Sequence, residues 1–537
     1  MKKSTLALSV AAAIGGFGFV GSASAITTVS GADATSLAVN SGGIGHKLLF
    51  PYFSAQGNNA TLINITNSDT VNGKLVKVRF RGAGNSDDLY DFQLLLSPGD
   101  VFTGSITQAT ATSGASFSSS DTSCVVPSGA KNNTFLTTRV DPAGDVNAQT
   151  REGYIEVLNM ADIRPATTLF GLVKHTTGKP NTAPTCTDTN LDPFLGTDVA
   201  DVTAAQARGM EPPTGGLSGD WVILNQSGTV NAAWSGAATA LRATKVVAGL
   251  PVNAMGNLVF WPQKDGVPSQ AASAALLRTV TADELLVQNL VAAGTRNYDL
   301  PDLSTPYVVG DLSAADRADK TTYQLAITSL KHQFAADTSA TPTFVTDLVI
   351  SQPTRRYSVG VNYKASSTGI NNIATSGTSA SAVYRGLTAG ALPVFYNSNN
   401  TALGTGTGAR QVCLTTISAP SIASLYDREE TTPTSGTSPF VISPANPGSP
   451  DKLQICGEAS VVTLNQKVED PSAALGGTVA RSNVNFISDG LTWTTGWANW
   501  NITQATDLGL PILGATFMRV RNATSSYGFA FPHKYTW

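Results

Sequence analysis

Residues 73–82 read GKLVKVRFRG, and their alternation decides the fold class. Val76, Val78 and Phe80 point one way, and Lys77, Arg79 and Arg81 point the other. A period of two is the pattern of a strand with one core face and one wet face. Upstream, ATLINITN sets Ile63 and Ile65 two apart. Downstream, DFQLLL repeats the alternation with Phe92, Leu94 and Leu96 and stops at Ser97-Pro98-Gly99-Asp100. There Pro presets φ and Gly accepts a positive one, as in a type II turn. VFTGSIT, GYIEVLN, WVILNQSGT, GNLVFWPQ, TDLVISQPTRRYSVGVNY, GEASVVTLN and ATFMRVRN carry the same signature to the C-terminus. The expected fold class is mainly β, an immunoglobulin-like or jelly-roll-like β-sandwich with long loops and a small helical insertion.

The insertion is expected at 264–337. Thr281-Ala282-Asp283-Glu284 has the capping-box form, Leu285, Leu286 and Leu290 give an apolar face, and Gly294 can stop the helix. A second helical region opens at Ser313, with Tyr323, Ile327, Leu330 and Phe334 spaced four, three and four apart. This divides the chain into 1–25, a β region 26–263, the insertion, and a second β region 338–537, which can share one core with the first. The stretches SGASFSSSDTSC and VPSGAKNN, and 401–449, read as exposed loop. No fixed-period repeat is present, which disfavours a solenoid or propeller.

The first 25 residues read as a signal peptide. Lys2 and Lys3 precede an apolar run from Leu6 to Val20, and Ala23 and Ala25 supply the small residues that place cleavage before Ile26. The expected compartment is the cell surface or the extracellular space. An oxidising compartment agrees with an even count of four cysteines. They fall in two distant clusters, so the expected bridges are Cys124–Cys186 and Cys413–Cys456, each worth roughly 3–4 kcal/mol on the chain-entropy account. No Cys has a CxxC partner or a nearby His, so structural staples are favoured over metal ligation.

Only 13% of residues are charged and the net charge is −3, against a usual charged share of about 25%. No basic surface for nucleic acid is implied, and weak self-repulsion favours close packing with copies of the chain. After Ala25 no apolar stretch approaches the roughly 20 residues of a membrane-spanning helix.

Chemistry is sparse. The four histidines, His46, His175, His332 and His533, form no pair at helical metal-ligand spacing. HExxH, Walker A and GxSxG are missing, so no catalytic residue is expected and the chain is read as a non-enzyme. Gly404-Thr405-Gly406-Thr407-Gly408 lacks the strand and helix of a dinucleotide cradle and reads as a loop. His46 reads as a surface or interface residue. Asp87, Asp88 and Asp91, and Asp188, Asn190 and Asp192, hold oxygen donors at short spacing. Calcium takes six to eight such oxygens, so it is the one cofactor considered, against a turn-forming role. Trp493, Trp497 and Trp500 have the spacing of a helical aromatic stripe, favoured as core over a sugar platform. SYGFAFPHKYTW alternates Tyr527, Phe529 and Phe531 and ends on Trp537, as the closing strand of an outer-membrane barrel does. Pro532 and the irregular strand spacing favour a sandwich strand instead.

The segment from Leu48 to Thr107 resembles the start of exported cell-surface proteins of Gram-negative bacteria. These include the surface-layer proteins that sheathe vesicle-bearing tubes called nanopods. GYIEVLN, TDLVISQPTRRY and GLPILGATF…YGFAFPHKY resemble the same group. The resemblance implies a self-associating lattice or coat on the outer membrane, with copies of itself and outer-membrane surface components as partners. It transfers no catalytic residue. The alternatives are a porin-like barrel and an adhesin or carbohydrate-binding module.

Overall fold

The computed structural model describes residues 27–536, apart from 30, 138, 177–182, 198, 200, 227–230, 261–300, 304, 306, 310–318, 364–380, 385–394, 405–409, 416–424, 429–439, 444, 447–448, 454, 466–470, 489–490 and 503–508. The signal segment with Ala23, Ala25 and Ile26, the capping-box helix from Thr281, most of the GTGTG loop and Trp537 lie outside the described residues.

The alternating segments pair as strands. A long sheet runs in the order Leu250–Asn253, Thr239–Val247, Lys47–Ser54, Glu152–Ile163, Gly73–Gly82, Asp88–Leu96, Cys124–Val126. A six-stranded sheet packs on it in the order Asn132–Thr134, Ala115–Ser118, Val101–Gln108, Asn59–Asn67, Leu217–Asn225, Ala232–Ala237. Every pairing in both is antiparallel. The turn after Leu96 forms as read, with Gly99 at φ 71° and Asp100 N–H donating to the Ser97 carbonyl at 3.2 Å. Between the sheets lies an aromatic core. The Phe80 ring stands 5.1 Å from Phe135, 5.3 Å from Phe117 and 6.2 Å from Phe53. Phe117 comes from a stretch expected to be exposed loop, and Phe135 lies just beyond one. In the first stretch the apolar side chains dip into the core and Ser119 and Ser123 are buried with them, while Ser118, Ser120 and Thr122 stay exposed.

A second sandwich follows. One sheet runs Phe440–Ser443, Arg481–Ser488, Ala459–Leu464, Thr343–Ser351, Leu513–Arg521, Ser526–Pro532. Its partner runs Leu425–Tyr426, Thr495–Asn501, Ser329–Ala335, Lys534–Thr536. All these sheets are open paths with two edges, and no closed barrel forms among the described residues. The chain is therefore mainly β and sandwich-like.

The two sandwiches share buried surface. Phe517 of the second stands 5.6 Å from Trp221, and 6.4 Å from both Tyr52 and Trp234 of the first. Trp234 Nε1 donates to the Met518 carbonyl at 2.8 Å. At Gly528 the last long strand runs against the Ala232–Ala237 edge so closely that a Cβ would strike the Ala233 carbonyl. Glycine is required there by approach rather than by φ.

The helical expectations are corrected in two places. Asp319–Leu325 is a helix, but Leu330 and Phe334 lie on the strand Ser329–Ala335, which pairs with Thr495–Asn501. Residues four apart satisfy a period of two as well as 3.6, and the sheet partner decides. Trp497 and Trp500 sit on that partner strand, so no helical stripe exists, and an odd spacing sends the two rings to opposite faces. Three short helices, Thr168–Val173, Asp188–Leu195 and Val202–Ala207, cover the far side of the long sheet with Leu169, Leu191 and Leu195 buried. Each opens on a Thr or Asp N-cap whose side chain accepts a backbone N–H.

Candidate functional site

The Gly73–Gly82 strand is buried along its whole length, which corrects the expected wet face. Lys77, Arg79 and Arg81 are ion-paired instead of solvated. Lys77 Nζ pairs with Asp91. Arg79 reaches Asp88 at 3.3 Å, and Arg139 binds the same carboxylate at 2.7 Å. Arg81 Nε lies 3.5 Å from Glu156 Oε1, and its terminal nitrogens lie 3.8 Å from Asp88 and 3.9 Å from Asp302. Asp302 is bound at 3.4 Å by Arg356, in a turn of the second half. Charges removed from water need partners in place, and the second half of the chain supplies one. Burial still weakens the Lys77 ammonium, bringing it down to about 8 against the pull of Asp91.

Two further buried carboxylates grip one loop, Ser472–Val479, from opposite sides. Asp347, in the middle of its strand, accepts from the N–H groups of Ala473, Ala474 and Leu475 at 3.2, 3.0 and 2.8 Å, and from Thr463 Oγ1 at 2.9 Å. Glu152, of the first sandwich, accepts from Thr478 N–H at 2.8 Å, Val479 N–H at 3.3 Å and Tyr52 Oη at 3.0 Å. Asn59 Nδ2 adds a bond to the Leu475 carbonyl at 2.6 Å. The loop is thus a polar wedge between the halves.

The oxygen clusters considered for calcium are committed to such contacts. Asp87 accepts from Tyr363 Oη at 2.6 Å, and burial pushes its carboxyl up to about 7. Asp88 and Asp91 hold the cations above. Asp188 opens a helix and accepts from Ser128 N–H and Oγ, both at 2.8 Å, and Asn190 donates to the Thr185 carbonyl at 2.7 Å. On the helix Asp188 and Asp192 share a face, and Asn190 points to the other side. The four cysteines form Cys124–Cys186 and Cys413–Cys456.

His46 is a core residue, contrary to the surface reading. Its Nδ1 accepts from Ala243 N–H at 3.1 Å, its ring meets Tyr307 edge-on at 5.7 Å, and burial drops it to about 3. Trp500 Nε1 donates to His332 Nε2 at 2.6 Å, and burial with His533 nearby lowers His332 to about 3. Such a group stabilises the fold fully above the unfolded value of 6.5. That contribution is lost as pH falls toward 3, at about 1.4 kcal/mol per pH unit. His332→Gln keeps an acceptor for Trp500 without the titration. Between pH 7 and 4.5 its urea-unfolding stability should gain about 2–3 kcal/mol relative to wild type. A difference that stays constant with pH would contradict the assignment.

Two apolar surfaces remain uncovered among the described residues. The first is the hairpin Thr239–Val247/Leu250–Asn253, where Leu250 (68% exposed), Val247 and Val252 share one face and Val246 projects from the other. Its two-residue turn, Ala248-Gly249, has positive φ at both positions, 49° and 83°, the geometry that matches strand twist in tight hairpins. The second is the strand Ser526–Pro532. Tyr527 (60% exposed), Phe529 (47%) and Phe531 project from one face, and Phe529 and Phe531 stack with centroids 6.4 Å apart. Beside Tyr527 and Phe529 a cleft of about 470 Å³ opens toward Leu224, Ala232 and Ala233. Trp497 stacks on Tyr426 at 4.4 Å, and Trp500 is buried. The C-terminal aromatics were visible in the sequence. The hairpin was not singled out, although a Gly-containing pair between two short apolar runs is a signal that finds it.

Comparison with protein-family models, with curated proteins and with solved structures returns no match.

Proposed function

We propose that this chain is a structural cell-surface protein that self-associates into a layer or coat on the outer membrane. The observation that carries the reading is the pair of uncovered apolar surfaces on a chain with few charges. The largest apolar patch on a soluble monomer is typically about 300–600 Å² and is often functional. A low net charge lets copies approach without strong repulsion. Two disulfides and a shared core suit a protein whose work is to hold shape. Export through the signal segment, and a place at the cell surface, belong to the same reading.

The test is extraction and reassembly. Urea without detergent should release the protein from cell envelopes, and it should stay soluble after the membranes are sedimented. On removal of urea it should form sheets or tubes visible by electron microscopy. Protein that stays in the membrane pellet until detergent is added, and then conducts ions in a planar bilayer, would replace this reading with a channel.

A further inference from the structure

We infer that the Val246–Val252 hairpin of one copy docks against the aromatic face and cleft beside Ser526–Pro532 of the next. This rests on the self-association reading above and names the contact that would carry it.

The hairpin is shaped to insert rather than to extend a sheet. Leu250–Asn253 is the terminal strand of the long sheet, and unpaired edges invite another strand. Here Pro251 removes a main-chain donor from that edge, a device found on protected edge strands. What the hairpin does offer is side chains. Its strand Leu250–Asn253 is exposed at every position, and the tight turn at Ala248-Gly249 fixes the ribbon with little freedom to lose on docking.

The receiving surface matches in size and chemistry. A cavity of about 150 Å³ holds a benzene-sized group, so the cleft of about 470 Å³ admits about three aliphatic side chains. Tyr527, Phe529, Leu224 and Ala232 line it, and Asn225, Gln226 and Asn231 add polar side chains. Three aromatics near half exposure present roughly 300 Å² of ring surface, and Val247, Leu250 and Val252 on one face of the hairpin present roughly 200 Å². A standard interface takes about 800 Å² from each partner, a little over half of it apolar. The two surfaces therefore supply about half or more of the apolar share of one contact, and the polar rims around them would supply the rest.

The donor and acceptor surfaces are different elements of one chain. A knob fitting a pocket elsewhere on the same molecule makes a heterologous contact, which propagates into rings or open arrays rather than closing as a two-fold dimer.

The experiment uses the full mature chain with two exposed-site variants, Leu250→Asp and Phe529→Asp, with Tyr527→Asp as a second acceptor-side change. Circular dichroism checks that each is folded. Each variant alone should fail to form sheets or tubes and sediment as a monomer. Mixed one to one, Leu250→Asp and Phe529→Asp should form a discrete heterodimer and nothing larger, since one intact donor meets one intact acceptor. Leu250→Cys mixed with Phe529→Cys should give a disulfide-linked heterodimer on oxidation. If wild type assembles and the folded aspartate variants assemble equally well, this interface is wrong and self-association stands. If the variants fail but the mixture stays monomeric, the contact is not heterologous and the proposal falls. If wild type never assembles and the cysteine pair does not cross-link, both readings fail.

Discussion

Replacing Arg81 with Met should cost about 3–5 kcal/mol in urea unfolding, although no solvent-exposed atom is lost. The guanidinium is fully buried between Glu156, Asp88 and Asp302. Methionine fills part of the space but leaves the Glu156 carboxylate, itself fully buried, without that cation. An orphaned buried charge is far costlier than the pair was favourable. The double change Arg81→Met/Glu156→Leu should therefore be more stable than Arg81→Met alone, and the cycle should report a coupling of about 2 kcal/mol or more. A single-variant loss below about 1 kcal/mol would mean that water reaches the site and that the strand has the wet face its alternation suggests.

A comparable loss is expected at Asp347. Truncation to Ala leaves the N–H groups of Ala473, Ala474 and Leu475 without their acceptor. At about 1–3 kcal/mol for each donor left unsatisfied, the three sum to about 3–9 kcal/mol. Asp347→Asn keeps one carbonyl oxygen toward the loop and should fall between wild type and Asp347→Ala. Because the same loop meets Glu152, hydrogen exchange of the Thr478 and Val479 amides should quicken in Asp347→Ala. Unchanged stability, or loss of protection confined to 473–475, would show that the two carboxylates act independently.

The strands were legible because alternation is a local property. Val76, Val78 and Phe80 share one face whatever lies elsewhere, and the type II turn at Gly99 is written in four residues. What covers the other face is not local. Lys77, Arg79 and Arg81 look the same on a wet strand as on one roofed by ion pairs, and one of their partners, Asp302, lies more than 200 residues away in the chain. Leu330 and Phe334 were misread for a related reason, since spacings of four fit helix and strand alike. The short helix at Asp188 was hidden in a stretch that also reads as an oxygen-rich loop. Of the candidate site, the C-terminal aromatics announced themselves by number and spacing. The hairpin at Ala248-Gly249 did not, because exposure of a short apolar run shows only once the fold is known.

Phe517 gives the order of chain emergence a physical meaning. A chain delivered N-terminus first brings out Tyr52, Trp221 and Trp234 long before the residue that packs against all three. Until nearly the last strand has appeared, the first sandwich has an open core and Glu152 has no loop to grip. The earlier half can therefore gain its full stability only when synthesis and delivery are almost complete. A chain cut short near its C-terminus should fail as a whole rather than leave a stable fragment.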